Sequence, residues 1–217
     1  MSVHKENVNK ARSAVKMGTQ LRYSASIQPK MGEVFLELTD AKTGRIIERR
    51  HKKNVITNDA GILAAMLFQD RGGVSRGISM LAIGTGARGA LLNPDAADPR
   101  QRRLEGEIAR KSFASIVYRK SDGSASAVPT NIVDFTTTYA EAEAVGPLNE
   151  MGLMSPLSDN INVQNPMKDA NGALVVFPDY DTTIDVSQYD VMANYLTFPV
   201  ISKPSTALLT ITWRLTF

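Results

Sequence analysis

Ten residues constrain the fold of this chain more than any others: Leu208-Leu209-Thr210-Ile211-Thr212-Trp213-Arg214-Leu215-Thr216-Phe217. Leu209, Ile211, Trp213, Leu215 and Phe217 recur at every second position, with Thr210, Thr212, Arg214 and Thr216 between them. A period of two is the period of a β-strand, whose successive side chains point to opposite faces. So clean an alternation needs one dry face and one wet face. Antiparallel sheets provide both, whereas parallel sheets are covered on both sides. The segment therefore predicts an antiparallel strand with Trp213 buried and Phe217 on the same apolar face.

Other segments fit that class. Glu33-Val34-Phe35-Leu36-Glu37-Leu38 reads as a strand with Val34, Leu36 and Leu38 on one face. Asp40-Ala41-Lys42-Thr43-Gly44 is a turn, and Arg45 to Arg50 returns as the hairpin partner, running into His51-Lys52-Lys53. Thr57-Asn58-Asp59 offers N-cap chemistry ahead of Ile62, Leu63, Met66 and Leu67, so a short helix is predicted over 59–69, closed by Gly72-Gly73. Residues 78–83 read as a buried strand. Residues 103–120 start with helical character and end β-prone, and 131–139 read as a strand with Val133, Phe135, Thr137 and Tyr139 on one face. Prolines 94 and 99 mark a long loop near 87–103. Six more prolines between 146 and 205 predict a loop-rich section with short strands at 174–177, 182–186 and 195–198. The expected fold is mainly β: an antiparallel, sandwich-like domain over 33–217, with one short helix and long Pro/Gly-rich loops.

Residues 1–32 form an extended basic arm in this reading, with six Lys and Arg against Glu6 alone. Val8, Ala11 and Val15 recur at loose helical intervals but would bury little, so the arm is expected to become ordered by lying on a neighbouring subunit.

Composition removes whole classes of function. With no Cys there is no disulfide framework, thiolate metal site or cysteine nucleophile, and His4 and His51 alone exclude a multi-histidine metal centre within one chain. No apolar run approaches the roughly 18 residues that span a bilayer, and the basic N-terminus has no apolar stretch behind it. A soluble protein that needs no oxidising compartment is expected. The net charge of +3 conceals a strong polarity. Residues 1–120 hold 22 Lys and Arg against 11 Asp and Glu, a net +11, while residues 121–217 hold 3 against 11, a net −8. Such a split suits a nucleic-acid-binding half, attraction between neighbouring copies, or neutralisation within the chain.

No motif points to catalysis. Gly84-x-Gly86-x-x-Gly89 follows an apolar strand, as a dinucleotide fingerprint does, but that motif opens a helix and here Pro94 stops one after a single turn. It reads as a turn that lets the strand exit. Asp179, Asp181, Asp185 and Asp190 are dense enough to suggest a cation, yet they lack the glycine and terminal glutamate of a calcium loop. Glu141 and Glu143 lie two apart, with nothing to mark them as an acid/base pair. No catalytic, cofactor or metal residue is assigned. Basic clusters are the better candidates: Arg45, Arg49, Arg50, Lys52 and Lys53, then Arg102 and Arg103 beside Arg100, Arg110 and Lys111. They could meet phosphates, but without aromatic side chains for base stacking, contact with an acidic protein neighbour is the favoured reading and nucleic acid the disfavoured one.

One stretch carries a resemblance. Asn54-Val55-Ile56-Thr57-Asn58-Asp59-Ala60-Gly61 leads into an apolar helix, then Met80-Leu81-Ala82-Ile83-Gly84-Thr85-Gly86. The charged run Leu104 to Arg110, a Thr-rich strand and Asn149-Glu150-Met151-Gly152-Leu153-Met154 follow. That order resembles a loose group of structural proteins of tailed-bacteriophage virions, over residues 54–154. The resemblance implies a non-enzymatic virion subunit, made in the host bacterial cytoplasm, most naturally in the tail, neck or baseplate. It would contact other virion proteins and copies of itself in a symmetric homo-oligomer, with no membrane. A capsid decoration (cement) protein is the first alternative and a nucleic-acid-binding module using the basic half the second.

Overall fold

The computed structural model describes residues 31–69, 77–169, 171–175 and 185–217. Among these residues twelve strands and one α-helix follow in chain order: β1 (Met31–Asp40), β2 (Ile46–Lys53), β3 (Val55–Ile56), α1 (Asn58–Gln69), β4 (Met80–Gly84), β5 (Gly89–Ala90), β6 (Asn93–Pro94), β7 (Glu107–Ser112), β8 (Ser115–Tyr118), β9 (Ile132–Tyr139), β10 (Gly146–Ser155), β11 (Val191–Lys203) and β12 (Ala207–Thr216). Two five-stranded antiparallel sheets result, one ordered β2-β1-β12-β9-β8 and the other β3-β11-β10-β4-β7. They face each other as a sandwich, and β5 and β6 form a small separate hairpin.

β12 lies at the centre of the first sheet. Its inner residues Leu209, Ile211, Trp213 and Leu215 have no exposed surface, and across it Val34 and Phe135 flank Trp213. Phe217 departs from the expected pattern. It follows the end of the strand and is 44% exposed, because pairing stops at Thr216. β1 buries Val34, Leu36 and Leu38 as read from the sequence, and the turn after it uses positive φ at Gly44 (69°). The strand begins at Met31, so the last two residues assigned to the arm belong to the sheet. Residues 1–30 lie outside the described residues.

The second sheet accounts for the expectations that failed. Residues 146–155 and 191–203, read as parts of a loop-rich section, are two long paired strands. Their sequences do not alternate, because both faces are covered. Leu153, Leu196 and Phe198 face the first sheet, while Met154, Met192 and Tyr195 pack on the other side with Met80 and Leu104. Pro199 is tolerated in β11 because it falls at a register shift opposite β10, where no ladder N–H is needed. The strand read at 195–198 is a fragment of β11. Of the strands read at 174–177 and 182–186, residues 176–177 and 182–184 lie outside the described residues; Leu174 bridges to Lys168, and Val186 opens a 3₁₀ turn. The helical start expected at 103–120 is absent: Glu107–Ser112 is an edge strand, and Arg110 is held by the distant Asp190. The loop near 87–103 is a lid on the second sheet. Val200 N–H donates to the Leu91 carbonyl (2.8 Å), and Gln101 and Arg102 are buried.

α1 begins as the sequence predicts, one residue earlier than drawn. Thr57 ties its start to β11, its hydroxyl donating to the Met192 carbonyl (2.5 Å), and Asn58 N–H donates to the Pro99 carbonyl (2.7 Å). The helix buries Ala60 and Leu63 against Val186, Val191 and Ala193. Gly72 and Gly73 lie outside the described residues. Among the described residues no helix is long and apolar enough to cross a membrane.

Candidate interaction surface

β2 is an edge strand, and its composition explains why it stays exposed. An open edge offers unpaired backbone groups to any passing strand, and charged side chains discourage such pairing. β2 contributes Arg49, Arg50, Lys52 and Lys53 to that edge, with Arg45 in the preceding turn. Arg45, Arg49, Lys52 and Lys53 are exposed, so four of the seven predicted contact residues share one rim.

The register with β1 decides how much of this charge is free. Glu37 lies opposite Arg49, and its carboxylate accepts from Arg49 Nε at 2.7 Å. Glu33 lies opposite Lys53 and is 3.1 Å from His51 Nε2. His51 stacks on Phe35 with ring centroids 4.4 Å apart and planes within 6°, and the Arg214 guanidinium sits 5.4 Å from the Phe35 centroid. The rim is therefore basic but interleaved with acid from the neighbouring strand. Lys52, Lys53 and Arg45 carry no ion pair among the described residues. Farther across the same sheet, on β9, Asp134 accepts from both Arg119 and Arg214 at 2.7 Å. Burial pushes the Asp134 carboxyl up, but the two guanidiniums outweigh burial and hold it below the usual carboxylate range.

Three predicted contact residues do other work. Arg50 is half-buried, donates to Glu48, and reaches across to the carbonyls of Pro199 and Val200 on β11, the latter at 3.2 Å. It satisfies acceptors on an edge of the second sheet and so joins the two sheets. Arg102 is 2% exposed, 3.7 Å from Asp59 in the first turn of α1 and in contact with Met167 Sδ. Burial raises the Asp59 carboxyl, against the pull of Arg102. Arg103 is half-buried and donates to the Leu104 carbonyl (3.1 Å). Arg50 and Arg102 hold the fold together; neither belongs to the open rim.

The acidic cluster is also dispersed. Asp190 accepts from Arg110 (2.7 Å) and from the backbone of Leu157 and Asn165, and Asp185 caps the 3₁₀ turn through Ser187. Asp179 and Asp181 lie outside the described residues. Among the described residues no group of three or more His, Asp or Glu is placed to hold a metal ion. A cleft of about 760 Å³ beside β7 is lined by Arg110, Lys111 and Glu143, which are paired within the chain: Lys111 Nζ is 2.6 Å from Glu143.

Three of the segments that carry the resemblance, 80–86, 104–110 and 149–154, meet in one place. The Glu150 side chain is fully buried. Its Oε1 accepts from Gly86 N–H (3.0 Å) and Gly106 N–H (2.7 Å), and its Oε2 from Glu105 N–H (3.1 Å) and the Tyr195 hydroxyl (2.9 Å). Burial and the Glu150 charge together push the Tyr195 phenol upward, so it stays a donor. A Cβ on Gly84 would lie 2.5 Å from the Gly106 carbonyl oxygen, and one on Gly86 would lie 2.2 Å from Gly106 N. The glycines of the Gly-x-Gly-x-x-Gly match thus permit close backbone approach around a carboxylate, and Gly84 and Gly86 have this steric role rather than that of a phosphate loop. Sequence reading missed Glu150; its one signal was an acid inside the otherwise uncharged run 146–155. No family model matches this chain, and a search of curated proteins finds no relative.

Proposed function

We propose that this chain is a non-enzymatic structural subunit of a tailed-bacteriophage virion, in the tail, neck or baseplate, acting by contact with copies of itself and with other virion proteins. The observation that carries the contact is the rim of β2, where Arg45, Arg49, Lys52 and Lys53 stand exposed on one sheet edge. An acidic surface, such as the half of the chain with net charge −8, is the complement. The order of motifs over 54–154 supports the virion assignment, and the packing of 80–86, 104–110 and 149–154 around Glu150 accounts for those three segments as scaffold chemistry.

The test is replacement of Arg45, Arg49, Lys52 and Lys53 together by Glu. Each exposed pair is worth under about 1 kcal/mol, so single substitutions should do little, while four reversals add repulsion to lost attraction. The quadruple variant should keep its fold, checked by circular dichroism, at a modest cost in stability because Glu at 49 and 53 faces Glu37 and Glu33 across the sheet, and it should enter particles poorly. Normal incorporation would remove the rim from assembly. An electron-microscopy map of the native particle tests location: density on the outer shell would make the chain a cement protein instead. Duplex-DNA binding with a steep salt slope would replace the whole reading with the nucleic-acid one.

A further inference from the structure

The turn of the β5–β6 hairpin breaks a local rule. Gly89 pairs with Pro94 and Ala90 with Asn93, so Leu91 and Leu92 are the two turn residues. Two-residue turns favour Asn, Asp and Gly, which accept positive φ, and neither leucine takes it. Leu91 is 58% exposed and Leu92 77%, so the core does not explain them either. The tip is nonetheless braced. Asp95 N–H donates to the Arg88 carbonyl (2.7 Å), Val200 N–H to the Leu91 carbonyl (2.8 Å), and the Thr197 hydroxyl to the Asp95 carbonyl (2.7 Å). Residues that serve neither turn nor core, on a tip held this firmly, point to a contact outside the chain.

An apolar groove of matching size lies elsewhere on the fold. Ala64 and Leu67 of α1, Ala193 of β11, and Phe135, Leu215 and Phe217 line an open space of about 160 Å³. Leu67 and Phe217 remain 43% and 44% exposed. An apolar void of about 150 Å³ accepts a benzene-sized group, so this groove suits one leucine side chain. Tip and groove sit toward opposite ends of β11, since Val200 braces the first and Ala193 lines the second. At about 3.3 Å per residue they are about 20 Å apart along the strand. Arg88, at the base of the hairpin, pairs with Glu105 (2.8 Å), and Arg50 is held by Glu48 and the Pro199 and Val200 carbonyls. Apolar fit rather than charge therefore selects the partner of the tip.

We propose that Leu92 of one copy inserts into this groove on a second copy. Tip and groove are different patches, so the contact is heterologous. It joins copies head to tail, into a ring where the rotation closes and into an open stack where it does not. This surface is separate from the β2 rim, and the proposal stands independently of the virion reading.

Self-association of the unmodified chain is the first readout. A contact this small is weak in solution. The weight-average mass by sedimentation equilibrium should rise about twofold by about 1 mM, as a dissociation constant of about 1 mM requires. Leu92→Asp, on an exposed turn, should fold as wild type does and stay at monomer mass. A wild type that stays monomeric, or a variant that associates equally, overturns the proposal. The chain has no cysteine, so engineered ones locate the groove. Mixed copies carrying Leu92→Cys and Ala64→Cys should form a disulfide at least about tenfold faster than Leu92→Cys mixed with Ser124→Cys, because binding raises the effective concentration. Equal rates overturn it. So does faster pairing of Leu92→Cys with itself, which is tip-to-tip contact. Cosedimentation of wild type, but not Leu92→Asp, with phosphatidylglycerol vesicles would make the tip a membrane contact and overturn it too.

Discussion

Replacing Glu150 by Gln tests the buried node directly. The side chains have nearly the same volume, so no cavity forms and the effect is electrostatic. In wild type, four donors converge on two carboxylate oxygens: three backbone N–H groups and the Tyr195 hydroxyl. A glutamine offers one oxygen. Its best placement keeps that oxygen on Gly86 and Gly106, which turns its amide nitrogen toward Glu105 N–H and Tyr195. The tyrosine hydroxyl can rotate and accept, but Glu105 N–H then faces another donor. An orphaned buried donor costs about 1–3 kcal/mol, and the bonds that remain lose the strengthening that a charged acceptor gave them. The sum is about 2–4 kcal/mol, a large part of the 5–15 kcal/mol typical of a folded domain. With an m-value near 3 kcal/mol/M, the urea midpoint should fall by about 1 M with the slope unchanged. Tyr195→Phe should cost less, and the double variant should lose less than the two single losses combined, because the groups share one network. A Glu150→Gln midpoint within about 0.2 M of wild type would show that the carboxylate is not needed and that the node is held by backbone packing alone.

Trp213→Ala should cost about 3–5 kcal/mol, since the indole is fully buried at the centre of the first sheet. Circular dichroism is the assay, because Trp213 is the one tryptophan, and an unchanged melting temperature would place the strand at the periphery. Asp134, held below its ordinary pKa by Arg214 and Arg119, stabilises the fold above the unfolded carboxylate value of about 3.9. That contribution is lost as pH falls through the folded value. Between pH 5 and pH 2.5, urea midpoints of wild type should therefore fall more steeply than those of Asp134→Asn, and parallel curves would refute the argument.

How far the fold could be read depended on which faces meet water. The alternation of β12 is legible because Thr210, Thr212 and Arg214 look outward while Ile211 and Trp213 look inward. β10 conceals itself because its residues from Leu148 to Ser155 are all buried, so a polar pair, Asn149-Glu150, and a glycine sit inside a strand with no period to detect. Pro147 and Pro199 then read as loop punctuation, although one is near a strand end and the other is at a bulge. The basic rim was legible as composition only. Which cations remain exposed depended on cross-strand register, which gives Glu37 to Arg49, and on tertiary reach, which takes Arg50 to β11 and Arg102 to Asp59. No local pattern encodes those partners.

The pairing of β1 with β12 has a consequence for how the chain is made. Met31 and Thr216 are neighbours in the sheet and 185 residues apart in the chain. At 5–20 residues per second, about 10–40 s separate the synthesis of the first partner from that of the second. During that interval Val34, Leu36 and Leu38 have no centre strand to cover them, and the wall of the core that β12 supplies does not yet exist. Closing so long a loop is also entropically unfavourable, which places this pairing among the slow steps of folding. The nascent chain is thus exposed to aggregation until β12 arrives, and the charged residues along β2 guard the outer edge of the β1–β2 hairpin in the meantime.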